Sequence, residues 1–145
     1  MQSGTVRPKT IVYFEWIIFG TLLLEILQSY LTWDQTIAIT ATVYGNSAGI
    51  VNIITEIFRF VLFATLTLLV SRRRSKIAKW ISIALFVLGT ALFAFDITIR
   101  GLLEIVTFSL AVLVSICQAV AFGLLFTPSA RRWMRREDKL LEVFH

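Results

Sequence analysis

The sequence has 145 residues, of which 57% are hydrophobic, and a formal net charge of +5. Its mean hydropathy of +0.81 excludes an ordinary soluble domain and indicates a chain embedded in a membrane. The only cysteine is Cys117 and the only histidine is His145. We therefore exclude an intramolecular disulfide, a dithiol redox pair and a bis-histidine haem site, and we expect no metal and no cofactor.

Four apolar runs predict an all-α fold, a four-helix transmembrane bundle. They cover residues about 11–31, 50–70, 77–99 and 102–126, and each is long enough to cross a hydrocarbon layer about 30 Å thick. Residues 1–128 would form this transmembrane domain. The first run contains Glu15 and lacks a small-residue cleavage site, so we interpret it as a retained helix rather than a signal peptide.

Between the first two runs, residues 32–48 contain no lysine or arginine. Asp34 and the segment Tyr44-Gly45-Asn46-Ser47 are typical of turns and predict a loop. The Thr, Ile, Ala and Val residues in its middle are also compatible with a short strand-like or surface-lying piece. The conformation of this segment therefore stays open.

Residues 129–145 are expected to form a basic amphipathic cytoplasmic tail. Thr127 is a candidate N-cap, because a proline follows it and suits the first position of a helix. In this helix Trp133 and Leu140 share one side, and charged residues occupy the other. Such a helix is typical of one that lies on an anionic membrane surface.

Basic residues cluster near the N-terminus, between the second and third runs, and in the tail. The positive-inside rule therefore places both termini and the middle connection in the cytoplasm. Because these clusters lie where helices leave the bilayer, they favour anionic lipid head groups as partners and argue against nucleic acid. The expected lipid contacts are Arg72, Arg73, Arg74, Lys76, Lys79, Arg131, Arg132, Arg135 and Arg136.

Polar side chains inside the runs are expected to face protein or a wet cavity, because facing lipid would be costly. Asn52, Glu56 and Arg59 are spaced along one helical face. With the predicted orientation, Glu56 and Glu25 lie at similar depths, about 9–10 Å from the outer surface. The predicted intramembrane polar cluster comprises Glu25, Gln28, Asn52, Glu56, Arg59, Asp96, Glu104 and Gln118.

This polar cluster has a structural and a functional interpretation. In the first, Arg59 is neutralised by Glu25 or Glu56, and the amide side chains hydrogen-bond between helices. In the second, the cluster is an outward-open vestibule in which a carboxylate accepts a proton or a cation. We favour the structural interpretation, because a deep arginine–glutamate pair in a small bundle more often specifies packing.

Four short motifs are spread along the chain. They are RPKTIVYFEW at residues 7–16, LTWD at 31–34, the Lys79-Trp80 pair, and Pro-x-Ala-Arg-x-Trp at 128–133. In these motifs the chain resembles a group of small, uncharacterised bacterial inner-membrane proteins. The resemblance covers most of the length and implies about four spans and a location in the cytoplasmic membrane. It implies no activity.

The leading functional hypothesis is a non-enzymatic accessory or structural membrane protein, which forms a homo-oligomer or joins a larger complex. The sequence contains no Walker loop, zinc motif or nucleophile elbow. The alternative is a small oligomeric transporter or channel, coupled to ions or protons, that uses Glu25, Glu56 and Asp96. An intramembrane enzyme ranks third, since its acid–base chemistry would depend on carboxylates alone.

Overall fold

The computed structural model describes residues 7–100 and 105–142, apart from the side chains of residues 96–100 and 136–142. Within these ranges the chain is helical, with short connections and no strand. A 3₁₀ turn at Gly45–Ser47 joins the second and third helices. The helices are α1 Lys9–Leu31, α2 Trp33–Tyr44, α3 Ala48–Arg73, α4 Lys76–Arg100, α5 Ile105–Leu124 and α6 Pro128–Glu142.

The predicted all-α, four-helix transmembrane bundle is confirmed. Helices α1, α3, α4 and α5 are each long and apolar enough to cross a membrane. Their outward faces carry exposed large apolar side chains, including Ile54, Phe58, Leu88 and Phe95. In a spanning helix the backbone polar groups are bonded internally, so such faces suit contact with lipid. These features fit a small, multi-pass integral membrane protein.

The four spanning helices form a ring in chain order. Helix α1 packs against α3 and α5, and α3 packs against α4, whereas the described residues of α4 and α5 touch only slightly. The buried core lies in the N-terminal half of α1 and the segments beside it, including Phe14, Val70, Phe122 and Leu125. The bundle is therefore closely packed at one end and loosely packed at the other.

The packed end also holds the three basic segments, and we call it the basic end. The segment at Arg7 lies beside Ser71, near the end of α3. The Thr10 and Ser129 hydroxyls are 3.1 Å apart, which joins the start of α1 to the start of α6. An aromatic cluster lies below this end: the ring centroids of Phe122 and Phe86 are 5.2 Å apart. Such ring pairs add stabilisation to that from buried area.

The segment 32–48, whose conformation the sequence left open, is helical over residues 33–44, which form α2. The many β-branched residues lower the helix propensity of this segment, but two threonine hydroxyls bond within the helix. Thr36 Oγ1 donates to Thr32 O at 2.9 Å, and Thr40 Oγ1 donates to Thr36 O at 2.8 Å. The helix also packs on the start of α3, where Ile37 lies beside Gly49. The predicted turn is present at Gly45, whose φ is 56°.

Helix α6 begins at Pro128, as the sequence predicts, and Thr127 caps it. The backbone N–H of Ala130 donates to Thr127 Oγ1 at 3.5 Å. Trp133 and Met134 are buried against the basic end, so the bundle covers the apolar side of this first part of the tail. The guanidinium carbon of Arg74 lies 3.9 Å from the centroid of the Trp133 ring, which is a cation–π contact.

Candidate functional site

A cleft lies between α4 and α5 on the side of the bundle away from the basic end. At the basic end the two helices meet, because Lys79 Nζ donates to Leu125 O at 3.1 Å and Trp80 packs edge-on against Phe126. Beyond the Phe86–Phe122 pair they leave a cavity of about 390 Å³. The cavity is therefore closed at one end by the aromatic cluster.

The lining of the cleft has a polar side and an apolar side. The polar side chains are contributed mainly by α1, α3 and α5, whereas α4 contributes mostly apolar ones. The lining residues are Glu25, Gln28, Ser29 and Thr32 from the first part of the chain, Arg59 and Phe63 from α3, Leu85, Phe86, Leu88, Gly89, Thr90, Leu92 and Phe93 from α4, and Ala111, Val114, Ser115 and Gln118 from α5.

Arg59 is paired with carboxylates from two helices. Its Nη2 donates to Glu56 Oε2 at 2.6 Å, within the same helix. Its Nε lies 3.7 Å from Glu25 Oε2 of α1, which is an ion pair beyond hydrogen-bond distance. The sequence left open which glutamate neutralises Arg59. In the structure both glutamates lie beside the guanidinium, and Glu56 makes the shorter contact.

Two further hydrogen bonds extend this group across the bundle. Gln118 Nε2 of α5 donates to Glu25 Oε1 at 2.6 Å. Ser29 Oγ of α1 donates to Glu56 Oε1 at 2.8 Å. We call Glu25, Ser29, Glu56, Arg59 and Gln118 the charge cluster. It ties α1, α3 and α5 together, and its two carboxylates and one guanidinium carry one net negative charge when ionised.

The other predicted members of the polar cluster lie elsewhere. Gln28 lines the same cleft, but Asn52 faces α2, where its Oδ1 accepts from Thr40 Oγ1 at 3.1 Å. Its Nδ2 is buried and has no partner in the described part of the chain. The side chain of Asp96 and the whole of Glu104 lie outside the described residues.

The predicted lipid-contact residues differ in exposure. Arg72, Arg73, Lys76, Arg131, Arg132 and Arg135 are exposed. Arg74 is half-buried and stacks on Trp133, and the side chain of Arg136 lies outside the described residues. Lys79 is only 7% exposed. Its ammonium lies 3.8 Å from the centroid of the Phe126 ring and donates to the end of α5, where a cation opposes the helix dipole.

Sequence reasoning missed the role of Glu15, which organises the basic end. Its Oε2 accepts from Arg7 Nη1 at 3.0 Å and from the fully buried Ser71 hydroxyl. Arg72 Nη2 lies 3.6 Å from its other oxygen. The signal that could have shown this role is an acidic residue near the basic end of the first apolar run, since a run of arginines follows the second apolar run.

The described side chains around the cleft supply binding groups: a carboxylate, a guanidinium, amides and hydroxyls. Among all the residues that the structure describes, no group of three or more His, Cys, Asp or Glu side chains could hold a metal ion. No protein-family model matches this chain, and no curated protein or solved structure matches it either. Its function must therefore be inferred from this geometry.

We expect Arg59→Met to destabilise the bundle, because it leaves two carboxylates beside each other without a cation. Interhelical polar contacts in membranes contribute about 1–2 kcal/mol, so the thermal midpoint in detergent should fall by several degrees. Arg73→Met is the matched control, since Arg73 is exposed at the basic end. Adding Glu56→Gln to Arg59→Met should restore part of the loss. Equal midpoints for Arg59→Met and the control would contradict a packing role.

Proposed function

We propose that the protein is a small, non-enzymatic membrane component that acts by assembly, either with itself or within a larger complex. The observation that supports this proposal is the charge cluster. Two of its hydrogen bonds and one of its ion pairs run between helices: Gln118 donates to Glu25, Ser29 donates to Glu56, and Arg59 lies beside Glu25. Polar groups used in this way determine which helix faces meet. The cleft beside them is then suited to binding rather than to catalysis.

The shape of the bundle also supports a role in assembly. The described residues of α4 and α5 have few contacts with each other away from the basic end, fewer than those of the other neighbouring spanning helices. The outward faces of α4 and α5 carry exposed residues such as Val87, Phe95 and Leu113. These faces can contact lipid or another membrane helix. We propose a bacterial inner membrane as its location, which the resemblance in the short motifs supports, and both termini in the cytoplasm, which the distribution of basic residues supports.

A small transporter or channel is the second candidate, and the cleft is the observation that favours it. The cleft brings Glu25 and Arg59 to an open cavity. The aromatic cluster of Phe14, Phe86 and Phe122 closes the other end. Transport would therefore require either a change in the α4–α5 packing or a path formed between copies of the chain.

The basic end is proposed to contact anionic lipid head groups. Its exposed guanidinium groups come from two separate segments, Arg72 and Arg73 at the end of α3 and Arg131, Arg132 and Arg135 in α6. The burial of Trp133 orients α6 on the bundle, so these charges are held at one end of the molecule. A juxtamembrane cation contributes about 1 kcal/mol of attraction to an anionic surface.

Gentle extraction from native membranes followed by mass determination tests the proposed assembly role. We expect either a homo-oligomer or a stoichiometric complex with another membrane protein. The Arg59→Met variant should lose this association if the charge cluster determines the helix packing. A native monomer that retains its fold and co-purifies with no other protein would contradict the proposal.

Flux assays in liposomes test the second candidate. Glu56→Gln is expected to abolish a pH- or cation-dependent flux while the protein keeps its fold, because the amide preserves the shape of the side chain. Glu15→Gln provides a comparison, because Glu15 is a carboxylate at the basic end of the bundle, away from Glu56. No flux through the native protein for any tested ion would exclude this candidate.

Anionic lipid is expected to raise the thermal midpoint of the protein, because binding to the folded state alone is stabilising. Adding phosphatidylglycerol to a zwitterionic detergent–lipid mixture should raise it by a few degrees. The rise should shrink in the Arg131→Gln/Arg132→Gln variant and at high salt, which screens exposed charges. The same rise in the native and variant proteins would contradict lipid contact by α6.

A further inference from the structure

We infer that the cleft between α4 and α5 binds an amphiphilic organic cation, with its cationic head at Glu25 and its apolar body on the α4 wall. This site is separate from the proposed assembly role, because assembly depends on helix packing whereas the site depends on the open cavity. Three properties of the cleft support it: the charge of the polar side, the volume, and the composition of the opposite wall.

The charge of the polar side favours a cation. Arg59 makes its 2.6 Å hydrogen bond to Glu56, which itself does not line the cavity. This pair is internally neutral, and Glu25 is left as the surplus charge at the cavity surface. Glu25 Oε1 accepts from Gln118, while Oε2 has, among the described residues, the 3.7 Å ion pair with Arg59 and no hydrogen bond. A cationic head beside Oε2 would neutralise the cluster, whereas an anion would double its net charge.

The volume of the cleft selects a small molecule. Ligand pockets measure about 300–1,000 Å³, and this cavity measures about 390 Å³. A transmembrane helix with side chains is about 10–12 Å in diameter and would not fit without further opening. The cavity therefore matches a compact molecule rather than a helix of a partner protein.

The wall opposite Glu25 requires an apolar body. It is formed by Leu85, Phe86, Leu92 and Phe93 of α4, with Phe63 of α3 beside the charged side. A small inorganic cation would exchange its hydration shell for hydrocarbon over most of this surface, which is unfavourable. An organic cation would bury apolar surface there, and aromatic ring faces attract cations directly.

The cleft is also accessible from the side of the bundle, where an amphiphile dissolved in the bilayer can reach it. Leu88, Gly89, Thr90 and Leu92 of α4 line the cavity and are exposed, so the cavity reaches the outer surface of the bundle along α4. That surface lies within a spanning helix. A molecule that partitions into the bilayer can therefore enter sideways, between α4 and α5.

Tetraphenylphosphonium and tetraphenylborate are the probes of choice, because they have nearly the same size and shape and opposite charge. Binding is measured by equilibrium dialysis with the full-length protein in nanodiscs of zwitterionic lipid, and empty nanodiscs give the blank. We expect saturable binding of the phosphonium above the blank. Glu25→Gln should weaken it about tenfold, a loss of about 1.4 kcal/mol, and should leave borate binding no weaker.

A steric variant tests the location without changing any charge. Gly89 lines the cleft and has nothing within 4 Å of a Cβ placed on it, so Gly89→Phe would fill the cavity. Gly123 has the same open surroundings but lies outside the cleft. Gly89→Phe should abolish phosphonium binding, and Gly123→Phe should retain native affinity. This pair remains informative if Glu25→Gln does not fold.

Each of three results would overturn the proposed site. The first is phosphonium binding no greater than that of empty nanodiscs. The second is equal affinity for the phosphonium and the borate, which would show that charge does not determine binding, or tighter binding of the borate, which would assign recognition to Arg59. The third is unchanged phosphonium affinity in both Glu25→Gln and Gly89→Phe.

Discussion

A guanidinium inside an apolar bundle has to be neutralised by groups from its own and neighbouring helices, and this requirement governs the structure. Arg59 meets it with Glu56 one turn away on α3 and with Glu25 on α1. The two glutamates then bind Ser29 and Gln118, which fixes the register of α1 against α3 and the approach of α5. No described side chain of α4 belongs to the charge cluster, and the cleft opens along that helix.

The two ends of the bundle are built on different physical principles. At the basic end, apolar packing and ring contacts around Phe14 and Phe122 combine with the buried Lys79 and with Glu15. At the other end, hydrogen bonds between polar side chains hold three helices and leave a space beside the fourth. Because one end is closely packed and the other has a cleft, a ligand can bind in the cleft without disturbing the packed core.

The architecture could be read from the sequence because its signals are local. Runs of apolar residues predict the spans, and Thr127 before a proline predicts the start of α6. Helix α2 could not be predicted, because its threonines favour other conformations locally and the helix packs against α3, a contact that the sequence does not show. The residue types in the charge cluster were visible in the sequence, but the partners of Arg59 depend on the registers of α1, α3 and α5. The roles of Lys79 and Glu15 depend in the same way on helix ends that are distant in sequence.

The position of Glu25 on the first span has a consequence for biosynthesis. During synthesis α1 leaves the ribosome before α3, so its carboxylate reaches the insertion machinery before Arg59 exists. A charged side chain at the centre of an isolated helix costs about 2.5–3.5 kcal/mol on insertion scales, which is an upper bound for Glu25 because it lies in the second half of α1. Release of α1 into lipid is therefore disfavoured until α3 arrives and the ion pair forms. The first two spans are expected to leave the translocon together, as a paired hairpin, and to serve as the template on which the rest of the bundle assembles.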